Sequence, residues 1–223
     1  MKETGLMFKA PLVRAILEGR KTQTRRALSD RTLQLLEYGS IAGECYELPT
    51  SGAIHPNDVA YYNSFCPMGK PGDRVYVRET WAEIPRHQPQ TDEDLPMRKD
   101  GRILVYQADP EWDGSRNFLC ADGCMRWAKP DRWRPSIHMP KEFARIWLEI
   151  TSVRVERLQS ITEADCIVEG AAGGHGAIPG YQYSATPIEH FRHIWESTGG
   201  DWAANPWVWV IDFKTISTTG RPA

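Results

Sequence analysis

The chain has 223 residues, of which 41% are hydrophobic and 25% charged, and its formal net charge at pH 7 is −2. This is the composition of an ordinary folded protein, so it excludes disorder of the whole chain. The near-neutral charge excludes a nucleic-acid binder that acts through a strongly basic overall field, and any such contact must use a local patch. We expect one domain, residues 1–223, with an inserted loop region near 84–132, whose Trp/Cys/Gly-rich part, from residue 107 to 132, forms a lid or surface flap.

Membrane and secretory signals are missing from the sequence. No run of about 18 uncharged apolar residues occurs, and no apolar signal core follows Met1-Lys2-Glu3, so we expect a cytoplasmic protein without membrane contact. An odd number of scattered cysteines favours free thiols over a disulfide framework. Cys120 and Cys124 would supply only half of a zinc site, and we predict no metal and no cofactor. The cysteines are Cys45, Cys66, Cys120, Cys124 and Cys166.

The N-terminal half contains two predicted helices and one clear strand. Apolar residues recur at helical spacing over 8–19, with a proline near the start and a glycine at the end, and predict a short helix. The polar segment 20–26 suits an extended conformation, exposed on a loop or strand. A second helix is predicted over 31–38, and a strand over 74–81, where valines alternate with polar residues.

The C-terminal half is richer in strand patterns. A short strand is predicted over 102–106, and 145–156 predicts one long strand or a bulged pair of strands. A capped short helix is expected within 158–170 and another helix over 187–197, followed by a closing strand over 206–213. Strands separated by short helices and long loops predict an α+β domain built on a curved sheet or small barrel.

Several stretches carry a resemblance to a known family. They are Gly-Arg-Lys-Thr-Gln-Thr-Arg-Arg at 19–26, Pro-Gly-Asp-Arg-Val-Tyr-Val-Arg-Glu-Thr-Trp at 71–81, and the segments 133–140 and 205–210. With these the chain resembles the ASCH domain family of the PUA-like superfamily, especially its phage and prophage subgroup. The family signature of a glycine, a lysine and a following arginine is met by Gly19, Lys21 and Arg26. The resemblance implies a PUA-like β-barrel with flanking short helices and long loop insertions, which handles a nucleobase or nucleic acid.

The resemblance also implies catalytic residues. An ASCH amidohydrolase of bacteria removes the acyl group from N4-acetylcytidine with a lysine, a threonine and a glutamate. Its Gly-Arg-Lys-Thr-x-Thr segment is similar to 19–24, which implies Lys21 and Thr24. Its glutamate follows a helix start similar to 161–163, which implies Glu169. We therefore expect an amidohydrolase acting on N4-acetylcytidine or a related N4-acylated cytosine nucleoside, without a cofactor.

The chemistry of these three side chains is reasonable. A threonine hydroxyl is too weakly acidic to attack an amide at neutral pH, so Thr24 needs Lys21 as its base. A lysine can be that base only if burial or nearby cations lower its pKa, and the neighbouring arginines are such cations. Glu169 would orient Lys21 or carry a proton to the leaving amine. The alternative is that 20–26 is a solvated face, with Thr24 an ordinary strand residue and Glu169 exposed at the end of its helix.

A base-binding site needs flat aromatic faces beside hydrogen-bonding groups. We expect His138 to be a contact rather than a catalyst, because a lone histidine is more often structural. Most strand tryptophans, such as Trp147, Trp207 and Trp209, are expected to belong to the core. The predicted substrate-binding residues are Arg20, Arg26, Arg78, Glu79, Trp81, Tyr106, Trp133, Arg134 and His138.

Two other functions remain open at this stage. In a non-catalytic RNA- or DNA-binding module, Arg20, Lys21, Arg25 and Arg26 would hold phosphates while aromatic residues stack a base. A nuclease is the weaker alternative, because the sequence has no evident acidic cluster for two metal ions. The expected partner is thus a modified cytidine nucleoside or a nucleic acid.

Overall fold

The computed structural model describes residues 1–49, 54–84, 103–109, 116–119, 125–128 and 132–222. The strands in these ranges are β1 (Glu3–Met7), β2 (Gln23–Ala27), β3 (Arg74–Arg78), β4 (Trp81–Ile84), β5 (Ile103–Tyr106), β6 (Arg116–Leu119), β7 (Met125–Ala128), β8 (Trp147–Arg157) and β9 (Trp207–Ser217). The α-helices are α1 (Ala10–Leu17), α2 (Asp30–Ile41), α3 (Val59–Ser64), α4 (Glu163–Val168) and α5 (Pro187–Ser197). The predicted α+β class is confirmed.

The main sheet has five strands in the order β1-β3-β8-β9-β2. β1 pairs with β3 in parallel, and the other neighbours are antiparallel. The strand predicted over 145–156 is one strand, β8, and its pairing with β9 shifts register between Trp147 and Leu148 and again between Ile150 and Ser152. Such bulges bend a strand and increase its twist, which curves the sheet.

Apolar side chains pack on both faces of this sheet. One cluster joins the sheet to α1, α2 and α3, and another joins it to α4 and α5. A third cluster lies where β4 and β5 pack beside the start of β8. Trp147, Trp207 and Trp209 are buried, as predicted. The core therefore surrounds the sheet and supports helices on both sides of it.

The sheet is open at both ends, so the described strands do not form the closed barrel that the resemblance implies. β1 and β2 are its two edge strands, and no backbone ladder joins them in the part of the chain that the structure describes. A side chain links them instead, because Arg26 Nη2 donates a hydrogen bond to the carbonyl oxygen of Met7 at 2.8 Å. A cleft opens beside this link.

Some predicted elements differ from the observed ones. The strand predicted over 74–81 is interrupted at Glu79 and Thr80, and the chain passes there from β3 into β4, which pairs with β5 in a separate sheet. The helix expected within 158–170 begins only at Glu163, because the Thr162 side chain caps it and 158–160 forms a 3-10 turn. α2 extends beyond the predicted 31–38 at both ends.

Part of the sequence prediction lies outside the described residues. This is true of most of the insertion near 84–132 and of both Cys120 and Cys124. Cys45, Cys66 and Cys166 are free thiols, as expected. No helix within the described ranges combines the length and the apolar character needed to cross a membrane.

Candidate active site in the cleft between the sheet edges

The cleft has a volume of about 810 Å³ and lies among β1, β2, α1 and the C-terminal end of α5. Phe8, Leu12, Phe191, Ile194 and Trp195 provide apolar wall. The segments around β2 and α4 contribute charged or hydroxyl-bearing side chains to the cleft: Lys21, Thr24, Arg25, Arg26 and Glu169. An apolar cleft with a few convergent polar groups is the usual form of a small-molecule site.

The turn after α1 brings Lys21 into this cleft. α1 ends before Gly19, whose φ of 73° is a conformation that favours glycine. The backbone N–H groups of Arg20 and Lys21 both donate to the carbonyl oxygen of Ala15, at 2.8 and 2.9 Å. The Thr22 N–H then donates to the carbonyl at the end of α4 at 2.9 Å. Lys21 is thereby buried between the ends of two helices, with only 1% of its surface exposed.

Lys21 and Glu169 form a buried ion pair. Lys21 Nζ lies 2.7 Å from Glu169 Oε2, 2.8 Å from the Glu169 carbonyl oxygen and 2.6 Å from the Gln23 carbonyl oxygen. Burial lowers the pKa of the Lys21 ammonium, Glu169 acts in the opposite direction, and Arg26 and Arg25 lower the pKa further. The net effect is a lysine that loses its proton more readily than an exposed one, as a general base requires.

Glu169 has its position because α4 ends close to α1. It is the C-terminal cap of α4 and is 5% exposed. The next residue, Gly170, has φ +91°, and a Cβ added there would lie 3.2 Å from the Cβ of Ala15. A glycine at 170 thus permits both the backbone turn and the close approach that bring the carboxylate to Lys21.

Arg25 holds the other side of the Glu169 carboxylate. Its side chain is completely buried, and Nη1 lies 3.2 Å from Glu169 Oε1. Nη2 lies 3.4 Å from Glu156 Oε2 and 3.5 Å from Asp165 Oδ2, and Nη1 also donates to the Gln23 side-chain oxygen. This guanidinium therefore compensates several carboxylates at once and fixes the orientation of Glu169.

Thr24 and Arg26 lie on the opposite face of β2 from Gln23 and Arg25, because side chains alternate along a strand. Thr24 lines the cleft and is 1% exposed. The guanidinium carbon of Arg26 lies 5.2 Å from the centre of the Phe8 ring, and Lys21 Nζ lies 5.7 Å from the same centre. The negative face of an aromatic ring stabilises nearby cations. Phe8 is thus an aromatic wall beside the two basic groups.

These contacts decide whether the segment 20–26 lines a site or is a solvated face. Lys21, Thr24 and Arg25 are buried, so the prediction that the segment is exposed was wrong. So were the alternatives of a solvated face and an exposed Glu169. The cause is tertiary: the ends of α1 and α4 cover the segment, and no local pattern in the sequence records this contact. Arg20 and Thr22 are the exposed residues of the segment, and the Arg20 side chain, 49% exposed, pairs with Glu18.

Three of the predicted substrate-binding residues belong to a second buried cluster rather than to the cleft. Trp81 packs edge-on against Phe143 at 4.9 Å between ring centres. The Tyr106 hydroxyl donates to the Phe143 carbonyl oxygen at 2.7 Å. Glu79 forms two 3.0 Å hydrogen bonds with the Arg145 guanidinium. Burial raises the pKa of Glu79, and Arg145 opposes that effect. This cluster is a support for the fold near β4 and β5.

The remaining predicted contacts surround the same cluster. Arg78 donates to the carbonyl oxygens of Met139 and Ile137. Arg134 lies over the Trp81 ring at 4.8 Å, while Trp133 is partly buried and His138 is exposed. None of these four lines the cleft. Of the predicted set, Arg26 is therefore brought together with the three catalytic candidates.

The sequence analysis missed parts of the cleft. It gave Arg25 the role of a neighbouring charge or, in the alternative function, of a phosphate contact, and it did not select Phe8 or Trp195. The alternation of β2 separates Arg25 from Arg26, but the carboxylates that Arg25 meets come from β8 and α4, and their register cannot be read from the sequence.

Comparisons with known proteins leave the site to be interpreted from its own geometry. No protein-family model matches the chain. No curated protein and no solved structure is significantly similar to it.

Proposed function

We propose that the protein is an amidohydrolase of the ASCH type that removes the acyl group from N4-acetylcytidine or a related N4-acylated cytosine. The observation that carries this proposal is the convergence of Lys21, Thr24 and Glu169 in one cleft, with each side chain no more than 5% exposed. In the same proposal, the curved open sheet is a variant of the PUA-like barrel. An apolar wall with Phe8 and Trp195 suits a flat base.

The reaction begins with proton transfer inside the ion pair. Lys21 must be neutral to act as a base, and Glu169 Oε2, at 2.7 Å, is the carboxylate oxygen in position to take its proton. In a desolvated pair this transfer removes two buried charges, so the neutral pair competes with the ionic one. Arg25 keeps the carboxylate oriented during the exchange.

Acyl transfer then follows in two stages. The neutral Lys21 amine accepts the Thr24 hydroxyl proton while Thr24 Oγ attacks the acyl carbonyl carbon. The bond from that carbon to N4 breaks, and the protonated Lys21–Glu169 pair returns a proton to N4, which releases cytidine and leaves an acyl ester on Thr24. Water, deprotonated by the same pair, hydrolyses the ester and restores the hydroxyl.

The direct test is hydrolysis of N4-acetylcytidine, followed by ultraviolet absorbance, in wild type and in Thr24→Val, Glu169→Gln and Lys21→Arg. The arginine keeps a cation beside Glu169 but cannot become a neutral base, so it separates charge from base catalysis. Thr22→Val is the matched control, since Thr22 is an exposed threonine of the same segment. We expect loss of turnover in the first three variants and wild-type turnover in the control.

A nucleic-acid-binding module is the second candidate, favoured by the basic groups of the cleft. It predicts no turnover in the wild type, together with RNA or DNA binding that weakens steeply as salt concentration rises. Turnover in the wild type therefore supports the amidohydrolase, and salt-sensitive binding without turnover supports the binding module.

A further inference from the structure

The charges of the cleft are unbalanced. Lys9, Lys21, Arg25 and Arg26 line it, whereas Glu169 is the carboxylate that lines it among the described residues. Glu169 is already within 3.2 Å of Lys21 and Arg25. Arg25 is further compensated by carboxylates behind β2. The uncompensated positive charge of the cleft is therefore that of Arg26 and Lys9.

Arg26 has only neutral partners. It donates to the carbonyl oxygens of Arg25 at 3.2 Å and Met7 at 2.8 Å, and no carboxylate of the described chain lies within ion-pair distance of it. Burial lowers the pKa of this guanidinium, with Glu169 opposing the effect. An arginine has five N–H donors, so these two bonds leave donors for a ligand. A partly desolvated guanidinium of this kind is well suited to a planar or tetrahedral anion.

Lys9 is the second cation of this region. It is exposed, and its ammonium donates to the Ser197 carbonyl oxygen at 2.7 Å and the Ser197 hydroxyl at 3.2 Å. These bonds hold the ammonium between the start of α1 and the end of α5, both of which line the cleft. No carboxylate partner is found for it within the described ranges either.

We infer that the acylated cytosine enters this cleft as a phosphate-bearing molecule whose phosphate lies against Arg26 and Lys9. This inference rests on the proposed function. A neutral nucleoside leaves both cations without a counter-charge, whereas a phosphate supplies charge-assisted acceptors to both. The cleft, at about 810 Å³, has room for a base together with a sugar and a phosphate.

The test compares kcat/KM for N4-acetylcytidine, its 5′-monophosphate and a short RNA that contains N4-acetylcytidine. We expect at least one phosphate-bearing substrate to exceed the nucleoside by about tenfold or more. Preference for the monophosphate identifies a free nucleotide, and preference for the RNA, with a steep salt dependence, identifies a strand. Equal values for all three would overturn the inference while leaving the amidohydrolase proposal intact.

Lys9→Gln tests the location of the phosphate. We expect the ratio of kcat/KM between the preferred phosphate-bearing substrate and the nucleoside to fall several-fold. Lys2→Gln is the matched control, because Lys2 is also exposed and also donates to a backbone carbonyl, that of Pro67 at 2.7 Å, and does not line the cleft. An unchanged ratio in Lys9→Gln, or an equal fall in Lys2→Gln, contradicts the assignment.

Binding keeps the two proposals separate if no substrate is hydrolysed. Calorimetry with cytidine and cytidine 5′-monophosphate then measures the phosphate preference directly. We expect the monophosphate to bind about tenfold more tightly or better, and Lys9→Gln to reduce that advantage. Failure of hydrolysis with a retained binding preference rejects the amidohydrolase alone, and equal binding of the two ligands rejects the phosphate subsite.

Discussion

Lys21 and Glu169 are 148 positions apart in the sequence, yet the lysine ammonium donates hydrogen bonds both to the glutamate carboxylate and to its backbone carbonyl. The second bond means that the end of α4 itself, not just a flexible side chain, is fixed to the segment before β2. The geometry of the proposed catalytic pair therefore depends on how α1 and α4 pack.

The pH dependence of the reaction tests the role of Lys21. The pKa of Lys21 is lowered from the ordinary lysine value of 10.5, chiefly by burial. Internal transfer to Glu169 neutralises Lys21 in only a fraction of the molecules, whereas loss of the pair's proton to solvent neutralises it in all of them. We therefore expect kcat/KM for N4-acetylcytidine to rise with pH around a midpoint below 10.5 and then to level off. Lys21→Arg should remove this limb together with the activity. A rate that climbs without levelling through pH 10.5 would contradict the assignment.

Folding stability should respond to the same lowered pKa. Between the folded pKa of Lys21 and 10.5, the unfolded chain binds a proton that the folded chain does not, so the contribution of Lys21 to stability rises with pH through that window. Lys21→Met should therefore lessen the alkaline rise in the free energy of unfolding. Urea unfolding of both proteins at a series of pH values measures this difference, and parallel curves would argue against it.

Removal of the Arg25 guanidinium should destabilise the fold severely. Arg25→Met removes the cation that contacts Glu169, Glu156 and Asp165 together. Glu169 keeps Lys21 and the other two keep Arg154, so we expect a loss at the lower end of the about 3–5 kcal/mol that is typical of a broken buried pair. Arg20→Met is the matched control: its exposed pair with Glu18 contributes at most about 1 kcal/mol. Chemical denaturation measures both. Equal losses of unfolding free energy in the two variants would mean that burial does not increase the contribution of the Arg25 ion pairs to stability.

Gly170 should matter for activity beyond its backbone conformation. Gly170 and Gly174 have similar φ angles of +91° and +101°, so alanine strains both, by about 1–2 kcal/mol. Only at Gly170 does the new methyl group meet a neighbour, Ala15 Cβ at 3.2 Å, while nothing lies within 4 Å at Gly174. We expect Gly170→Ala to lower kcat by moving Glu169 and Gly174→Ala to leave kcat unchanged. Equal kcat values in the two variants would show that the contact does not position the carboxylate.

Tyr106 should affect stability rather than substrate binding. Tyr106→Phe removes the buried hydrogen bond to the Phe143 carbonyl, at a cost of about 1 kcal/mol or somewhat more. Because Tyr106 does not line the cleft, the KM for the acylated substrate should stay at the wild-type value. Thermal unfolding and steady-state kinetics on the same preparation test both parts, and a raised KM would restore Tyr106 to the binding site.

The sequence predicted local features of the fold better than the composition of the site. α5 has the predicted bounds because a capping box and a proline mark its start. β8 was predicted because its alternation extends over many residues. By contrast, the burial of Arg25 requires carboxylates from β8 and α4, and that of Trp81 and Tyr106 requires the pairing of β4 with β5. These contacts depend on tertiary packing, which a one-dimensional pattern does not contain.

The catalytic candidates show the same distinction. Lys21 and Thr24 lie within one short motif, and the resemblance sufficed to select them. Glu169 was selected because it follows a similar helix start. Its burial at the end of α4 could not be predicted, because it depends on how α4 packs against α1. Phe8 gave no signal at all, because a phenylalanine at the start of a predicted helix is equally typical of a core residue.

The open edge of the main sheet has a consequence for the range of substrates. Across the described gap between β1 and β2, the link is a side-chain hydrogen bond from Arg26 to Met7, rather than a row of backbone bonds. Side chains change rotamer far more easily than strands separate. Under the proposed function, we therefore expect the cleft to widen for acyl groups of different bulk by rotation of one arginine, without any loss of sheet structure.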